Sequence, residues 1–500
     1  MCRATSCRSF RARRTYSIAS VTSTSKRPRW SSTKVRRWSP KWSTSSSREA
    51  SALRTDSTRR SGSPGSSSRR TTCSCAEPFE RKQSNARRHS REHTPSRLSC
   101  RGRNARAVRA FGDLGRRRMR RRGCPMNENR PTVVYWNNIP SPYIIDRLNA
   151  LHERGTLDLE VWFSERREPD RSWQVDESTW KFRYRYLPEF RLGRFRMRLP
   201  FRLFRLRPDL ILSLYGTSEY MLGWVIAKLL RIKTGIRVLK IFDSWFPRHW
   251  AKELLKHFLF RFVDVVETAG TDGKEYAVSY GIAPERVKIV PHTVNVEVLL
   301  PAVTRARANR EQWKADLGLT GVVFLYVGRL WSGKGVDSLI DAFAMLTRTC
   351  EEDVSLLLVG DGQDEAELRS KVERLALSNV CFAGFREQDE LAAMFAVSDV
   401  FVFPTLGDPY GLVVDEAMAC GLPVISTTAA GEITDRVEEG VSGHLVPPGA
   451  PEELASRMAW LAGDATQRSK MGSEAARKVA DHTPEAWASG FEELVQQTLR

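Results

Sequence analysis

VFVFPTLGDPYGLVVDEAMACGLPVIS, residues 400–426, opens and closes on short apolar runs and holds a Gly/Pro-rich loop and a helical stretch between them. The runs 400–404 and 422–426 are β-branched and aromatic, bounded by turn formers, and too short for helices, so they read as buried strands. The loop between them carries Asp408 beside Pro409. A helix is expected to begin near Gly411 and Leu412 and to carry Glu416 in its early turns. Small residues Ala417, Ala419, Cys420 and Gly421 then allow close packing ahead of the second strand. Strands without polar alternation, joined by a helix, argue a parallel sheet covered on both faces.

The same alternation runs outward in both directions. Downstream of 320 the runs 322–328, 354–360 and 380–384 are further strands. Upstream, strands are expected at 132–136, 157–164, 208–215, 237–243 and 263–269, with an amphipathic helix over 142–155 and an extended run at 286–295. The polar stretch 304–316 reads as a linker between the two series. The fold class is therefore α/β: two Rossmann-like doubly wound domains facing a cleft, 126–300 and 301–482, followed by a C-terminal helix over 483–500. In such sheets the ligand sits at the carboxyl ends of the strands.

Two segments carry chemistry. In VVFLYVGRLWSGKGVDSLIDAF, 322–343, a strand ends at Gly328 and a loop sets Arg329 and Lys334 among glycines before a helix. Glycines admit close backbone approach, the helix start is positive, and two cations flank it, which suits a diphosphate. The spacing from Gly328 to Lys334 also matches a P-loop, but the next residue, Gly335, cannot supply the hydroxyl that holds magnesium there. In 400–449 a loop carboxylate, Asp408, and a helix carboxylate, Glu416, can accept hydrogen bonds from a sugar or ribose. The bland alternatives are a turn former before Pro409 and a helix-surface acid.

At these residues the chain resembles the retaining family-4 nucleotide-sugar glycosyltransferases of GT-B fold. The matching pieces are Gly328-Arg329-Leu330, Lys334-Gly335, VGDGQDEAEL (359–368), VCFAG (380–384) and DPYGLVVDEAMACGLPVIST (408–427), with NNIPSPY (137–143) and ERVKIVPHTVN (285–295) extending the likeness to the first domain. The resemblance implies that Arg329 and Lys334 hold the diphosphate of a nucleoside-diphosphate sugar donor and that Glu416 holds the ribose. It further implies that Asp408 contacts the donor sugar, that amides of Tyr410, Gly411 and Leu412 face the sugar phosphate, and that Phe385 lies by the base. Gly328 completes the donor loop, and Asn138 and Asp243 are the first-domain candidates. Two departures stand out. Asp408 replaces the family's Glu, and Phe242-Asp243 stands where many members carry His-Asp. The implied reaction moves a hexose to the hydroxyl of a carbohydrate or lipid-linked acceptor in surface polysaccharide or glycolipid synthesis. No cofactor is implied. No Asp-x-Asp occurs in the chain, so no metal site is expected. A P-loop hydrolase and a non-catalytic sugar-nucleotide-binding or scaffold protein on the same fold stay open.

The whole-chain charge of +22 belongs to neither part of the sequence. Residues 1–125 hold 34 Lys+Arg and 6 Asp+Glu, a net of +28; the rest hold 46 and 52, a net of −6. Only 10 of those first 125 residues are Leu, Ile, Val or Phe, too few to offset ordering entropy, so a disordered Arg/Ser-rich segment is expected. Six of the nine Cys lie in it, and the three beyond have no disulfide or zinc spacing, which suits a reducing, cytoplasmic setting. The apolar run 220–230 is too short to cross a bilayer. Residues 181–207 hold ten Lys+Arg, one acid and interleaved aromatics. That stretch is expected to dock at an anionic membrane surface, as a peripheral contact; nucleic acid is the weaker partner because the body is acidic. An Arg/Ser tail can itself bind RNA or lipid, but the strand pattern beginning just after Met126 favours a reading frame extended past its true start. Intact mass of the protein expressed from its own chromosome is expected to correspond to a chain beginning at Met126; a product beginning near Met1 would contradict this.

Overall fold

The computed structural model describes residues 130–167, 176–192, 195–198, 200–215, 218–238 and 250–500. The Arg/Ser-rich segment 1–125, Phe242 and Asp243 lie outside them. The first domain is a seven-stranded sheet of β1 (Thr132–Asn137), β2 (Asp158–Phe163), β3 (Arg183–Tyr186), β6 (Leu210–Ser213), β7 (Lys233–Val238), β8 (Val265–Thr268) and β9 (Val287–Ile289). An antiparallel pair, β4 (Glu189–Leu192) and β5 (Phe195–Arg198), stands apart from it. The second domain is a six-stranded sheet of β10 (Val322–Val327), β11 (Val354–Val359), β12 (Val380–Gly384), β13 (Val400–Phe403), β14 (Val424–Thr427) and β15 (Gly443–Val446).

Every strand pair in both sheets is parallel. The orders are β3-β2-β1-β6-β7-β8-β9 and β12-β11-β10-β13-β14-β15, so each sheet reverses direction of winding once, between β1 and β6 and between β10 and β13. A crevice opens at the carboxyl ends there, where a doubly wound fold binds ligands. The unbroken apolar runs are explained by burial on both faces: Val323 and Leu325 join one core while Phe324 and Tyr326 join the other. Among the described residues no helix is long and apolar enough to cross a membrane.

Three expectations need correction. The stretch 304–316 is helical, within Val296–Arg307 and Arg310–Asp316, because its charged residues alternate with an inner face; Ala302, Val303 and Ala306 are buried in the second core. A boundary at 300 thus falls inside a helix. The strand expected at 237–243 begins earlier, at Lys233, and 239–243 lie outside the described residues. The basic stretch is largely paired: Lys181 with Glu153, Arg183 with Asp158, Arg185 and Arg202 with Glu160, and Arg198 with Glu165. Period-two alternation in β3 puts Arg183 and Arg185 beside Asp158 and Glu160 of β2, and the other pairs form between neighbouring segments, which sequence spacing did not reveal.

The C-terminal helix, Pro484–Leu499, returns to the first domain. Thr483 caps it by accepting the Ala486 amide at 3.2 Å. Its inner face, Trp487, Ala488, Phe491, Leu494 and Val495, packs with Ile144, Leu148 and Leu151 of the helix Pro142–Arg154 and with Tyr135. Trp487 also donates to Glu267 at 3.1 Å. Trp487→Ala should therefore lower stability by about 3–5 kcal/mol in urea unfolding, the scale for emptying a buried aromatic site; a loss under about 1 kcal/mol would show that this helix does not hold the first domain together.

Candidate functional site

At the second domain's winding reversal two loops nest. After β10 the chain passes Gly328 and Arg329 into a short 3-10 turn, Ser332–Lys334, and then Gly335 at φ 68°. A Cβ on Gly335 would lie 2.0 Å from the Pro404 carbonyl oxygen, so only glycine lets this loop lie against the end of β13. The Ser or Thr that a P-loop requires cannot stand there, which removes the hydrolase reading. The Leu406 amide and the Thr405 hydroxyl both donate to the Gly333 carbonyl, at 3.0 and 3.3 Å, and fasten the two loops together.

Lys334 donates through Nζ to Oδ2 of Asp408, and both side chains are mostly buried. The other oxygen, Oδ1, accepts the Tyr410 amide at 2.9 Å. Asp408 is thus a turn former and a site carboxylate at once, one oxygen for each. The expectation for Tyr410 needs correction: its amide is taken by Asp408 and cannot face an anion. The Gly411 and Leu412 amides have no acceptor among the described residues, and the helix Leu412–Ala419 starts there with its positive end open. Arg329 is exposed, its guanidinium carbon 5.5 Å from the Trp331 ring centre. Phe385 is exposed just beyond β12, on the outer side of the same sheet edge. Gly328, Arg329, Lys334, Asp408, Gly411 and Leu412 are therefore brought together at one edge, with Phe385 two strands away from β10.

Glu416 lies on the helix that follows, partly exposed and with no hydrogen-bond or ion-pair partner among the described residues. Burial, and then the neighbouring Asp415 carboxylate, push its pKa up to about 7. Asp415 itself is fully buried. Burial raises its pKa, but Arg436, at 3.0 Å, and His482 outweigh it and hold the carboxyl below the usual range. Tyr410 donates its hydroxyl to Asp415 at 2.8 Å. Arg436 also donates to the carbonyls of Tyr410, Gly411, Gly431 and Glu432, and its guanidinium lies 4.0 Å from the Tyr410 ring centre.

From Tyr410 the polar chain crosses to the first domain. The His292 ring meets Tyr410 edge-on, with centres 4.5 Å apart, and Arg147 lies 3.0 Å from His292 Nδ1 and 3.0 Å from the Tyr135 hydroxyl. Arginine only donates, so Nδ1 accepts and the proton sits on Nε2. Burial, with the Arg147 and Arg237 charges, holds the His292 pKa well below its usual value and keeps the ring neutral. A second bridge lies beside the first: Glu432 accepts the Asp272 and Gly273 amides at 2.9 and 2.8 Å, and Asp435 accepts the Thr271 amide at 2.6 Å. Two carboxylates of one domain thereby cap the helix Thr271–Ser279 of the other.

Sequence reasoning missed Arg147, Asp415, Glu432 and Arg436. Arg147 had a signal, a cation on the apolar face formed by Ile144, Ile145 and Leu148. The others lie far from their partners in the chain and had none. Asn138 follows β1, and its carbonyl accepts the Glu165 amide at 2.7 Å beside an open recess of about 490 Å³ lined by Ser164, Glu165, Arg166, Tyr186 and Arg198. Asp243 lies outside the described residues. Among the described residues no three His, Cys, Asp or Glu side chains gather as metal ligands do.

Two family models match the chain: glycosyl transferases group 1 over residues 308–478 and glycosyltransferase family 4 over 141–298. A D-inositol 3-phosphate glycosyltransferase of Jonesia denitrificans is 29% identical over 242 residues, 47% of this chain and 57% of that protein. An N-acetyl-alpha-D-glucosaminyl L-malate synthase of Bacillus anthracis is 27% identical over 231 residues, 45% of this chain and 59% of that protein. The chain thus spans little more than half the length of these curated relatives. Among solved structures, Anabaena HepE in complex with UDP and glucose superposes with a TM-score of 0.57 at 20% identity, covering 73% of this chain and 100% of that one, a likeness of fold.

Glu416 yields a pH signature. Its folded pKa of about 7 exceeds the ordinary 4.5, so the folded protein holds this proton longer than the unfolded chain does. The penalty for burying the charge is absent below the unfolded value, grows as pH rises, and is complete above the folded one. Glu416→Gln is expected to match the wild type in stability near pH 4 and to exceed it at pH 8 by on the order of 1–3 kcal/mol, read by urea unfolding at both pH values. Equal stability at pH 8 would contradict the shift.

Proposed function

The chain belongs to the family-4 glycosyltransferases of GT-B fold, and from that membership we propose that it transfers a hexose from a nucleoside-diphosphate sugar to an acceptor hydroxyl with retained anomeric configuration. The observation that carries this reading is the nesting, at the carboxyl ends of β10 and β13, of the loop that bears Arg329 and Lys334 against the loop that bears Asp408 and leads to the open Gly411 and Leu412 amides, with Lys334 and Asp408 paired. Asp408 holds the cation that a donor phosphate would need. Donor entry exchanges that partner: Lys334 turns to the diphosphate, and Asp408 Oδ2 is released to accept a sugar hydroxyl.

As the glycosidic bond breaks, negative charge gathers on the leaving diphosphate. Fixed cations and helix-end amides stabilise it more in the transition state than in the ground state, and no metal ion is needed for that step. Glu416 faces two ribose hydroxyls as an acceptor in this reading, which favours its ionised form and releases the proton it holds near pH 7. UDP and glucose in the Anabaena protein support a nucleotide-sugar donor, and the names of the two relatives support a small hydroxyl-bearing acceptor. Surface polysaccharide or glycolipid synthesis at the cytoplasmic face is the pathway class that fits.

Lys334→Ala should lower kcat by roughly 10²–10³, the scale for losing one transition-state electrostatic contact. Asp408→Ala should cost on the order of 1–3 kcal/mol in kcat/KM through an unpaired sugar hydroxyl. Asp408→Glu should retain activity and shift preference between epimeric donors. Initial rates over a panel of nucleotide sugars, with melting temperatures alongside, check all three. Full activity of Lys334→Ala with a strict need for added Mg²⁺ would overturn the assignment.

A further inference from the structure

The helix Trp250–Phe260 packs on the first domain through Phe260 and, in part, Leu259. Along its polar flank Glu253 pairs with Lys256 at 3.0 Å and accepts the Tyr280 hydroxyl, and Lys256 reaches the Tyr276 hydroxyl at 3.3 Å. A second apolar face is turned outward. Trp250 is 74% exposed, Leu254 64% and Phe258 59%, and Phe262, one turn further on, is 53% exposed. These four lie at intervals of four residues and form one stripe. A helix in a water-soluble domain normally carries polar side chains on the face turned away from the core.

The stripe belongs to a larger face. Helices Arg202–Leu206, Ser218–Leu229, Trp250–Phe260 and Thr271–Ser279 cover one side of the first sheet, through Leu203, Trp224, Phe260 and Ala277. Trp224 and Phe260, with ring centres 6.4 Å apart, join the second of these helices to the third. Of sixteen large apolar side chains exposed among the described residues, ten lie on or at the ends of these four helices. So uneven a distribution marks a surface that another phase or molecule covers.

Charge selects the occupant. Residues 126–300 hold 28 Lys+Arg and 21 Asp+Glu, a net of +7, while residues 301–500 hold 18 and 31, a net of −13. Exposed Arg205, Arg207, Arg231 and Arg261 lie on or at the ends of the same helices. Exposed aromatic and leucine side chains on helices that also carry exposed arginines match the boundary of an anionic bilayer, with rings at headgroup depth and guanidinium groups on lipid phosphates. We infer that this helical face, with the stripe Trp250–Leu254–Phe258–Phe262 at its centre, seats the first domain on an anionic lipid surface. The inference does not depend on the transferase reading. It moves the membrane contact away from 181–207, where five of the seven cations among the described residues already hold acids.

The test is co-sedimentation of the full chain with vesicles of phosphatidylcholine alone or mixed equally with phosphatidylglycerol. Residues 1–125 carry +28 and would bind anionic vesicles by themselves. The salt concentration is therefore set where an isolated 1–125 peptide no longer binds. There the wild type should pellet with anionic vesicles, and Leu254→Glu/Phe258→Glu should lower the bound fraction about tenfold with an unchanged melting temperature. Amide exchange in peptides covering 250–262 should slow only when anionic vesicles are present. Equal binding by wild type and variant, equal binding to neutral vesicles, or no binding would each overturn the inference. So would a wild-type dimer in sedimentation velocity that the double variant abolishes, since the face would then cover a second copy.

Discussion

The buried pair of Asp415 and Arg436 is the constraint on which the site depends. Arg436 has its donors committed to one carboxylate and to carbonyls of Tyr410, Gly411, Gly431 and Glu432. It ties the loop that carries Asp408 to the segment that carries Glu432. Removing either partner would leave an uncompensated charge in a water-free interior, a cost of about 3–5 kcal/mol. The same guanidinium lies over the Tyr410 ring, and that ring touches His292 of the first domain. The ion pair therefore orders the open start of the helix Leu412–Ala419 and one of the contacts between the two domains. Glu432 and Asp435, which cap a helix of the other domain, stand within four residues of that arginine or nearer.

Lys334 and Asp408 satisfy each other, and the glycines at 335 and 411 leave neither loop room to carry a larger residue: a Cβ at Gly411 would lie 2.7 Å from the Phe403 ring. A diphosphate must compete with a carboxylate for the lysine. That competition favours a ligand carrying both an anion for Lys334 and a hydroxyl for Asp408, which is the composition of a sugar nucleotide. Nucleotide alone leaves Asp408 without a new partner. In the proposed reading Glu416 adds a proton-linked contact on the ribose side, and donor recognition is a change of partners at Lys334 and Asp408.

Much of this was legible in the sequence. Apolar runs without alternation in 322–328, 354–360 and 400–404 disclosed parallel strands, and the resemblance of the two loops to glycosyltransferase motifs put Gly328, Arg329, Lys334 and Asp408 at one donor site. The failures have physical reasons. A helix whose outer face is charged, Val296–Arg307, looks like a linker when its small inner residues are read as indifferent. The amide of Tyr410 was assigned to a ligand because an Asx turn at Asp408 depends on side-chain rotation, which spacing does not encode. Arg147, His292 and Arg436 meet through tertiary contact alone. The cations of 181–207 looked free because their acids sit on the adjoining strand or on neighbouring segments.

The central claim, that a donor nucleotide binds at the Lys334 and Glu416 edge and draws Glu416 into its ionised form, is tested most directly by calorimetric titration with UDP, GDP and ADP at pH 7 in two buffers of different ionisation enthalpy. With Glu416 at a pKa of about 7, roughly half of the molecules carry its proton at that pH, so the binding nucleotide should release about half a proton. The release should disappear in Glu416→Gln. Binding with no dependence on buffer, or an undiminished release in Glu416→Gln, would contradict the account.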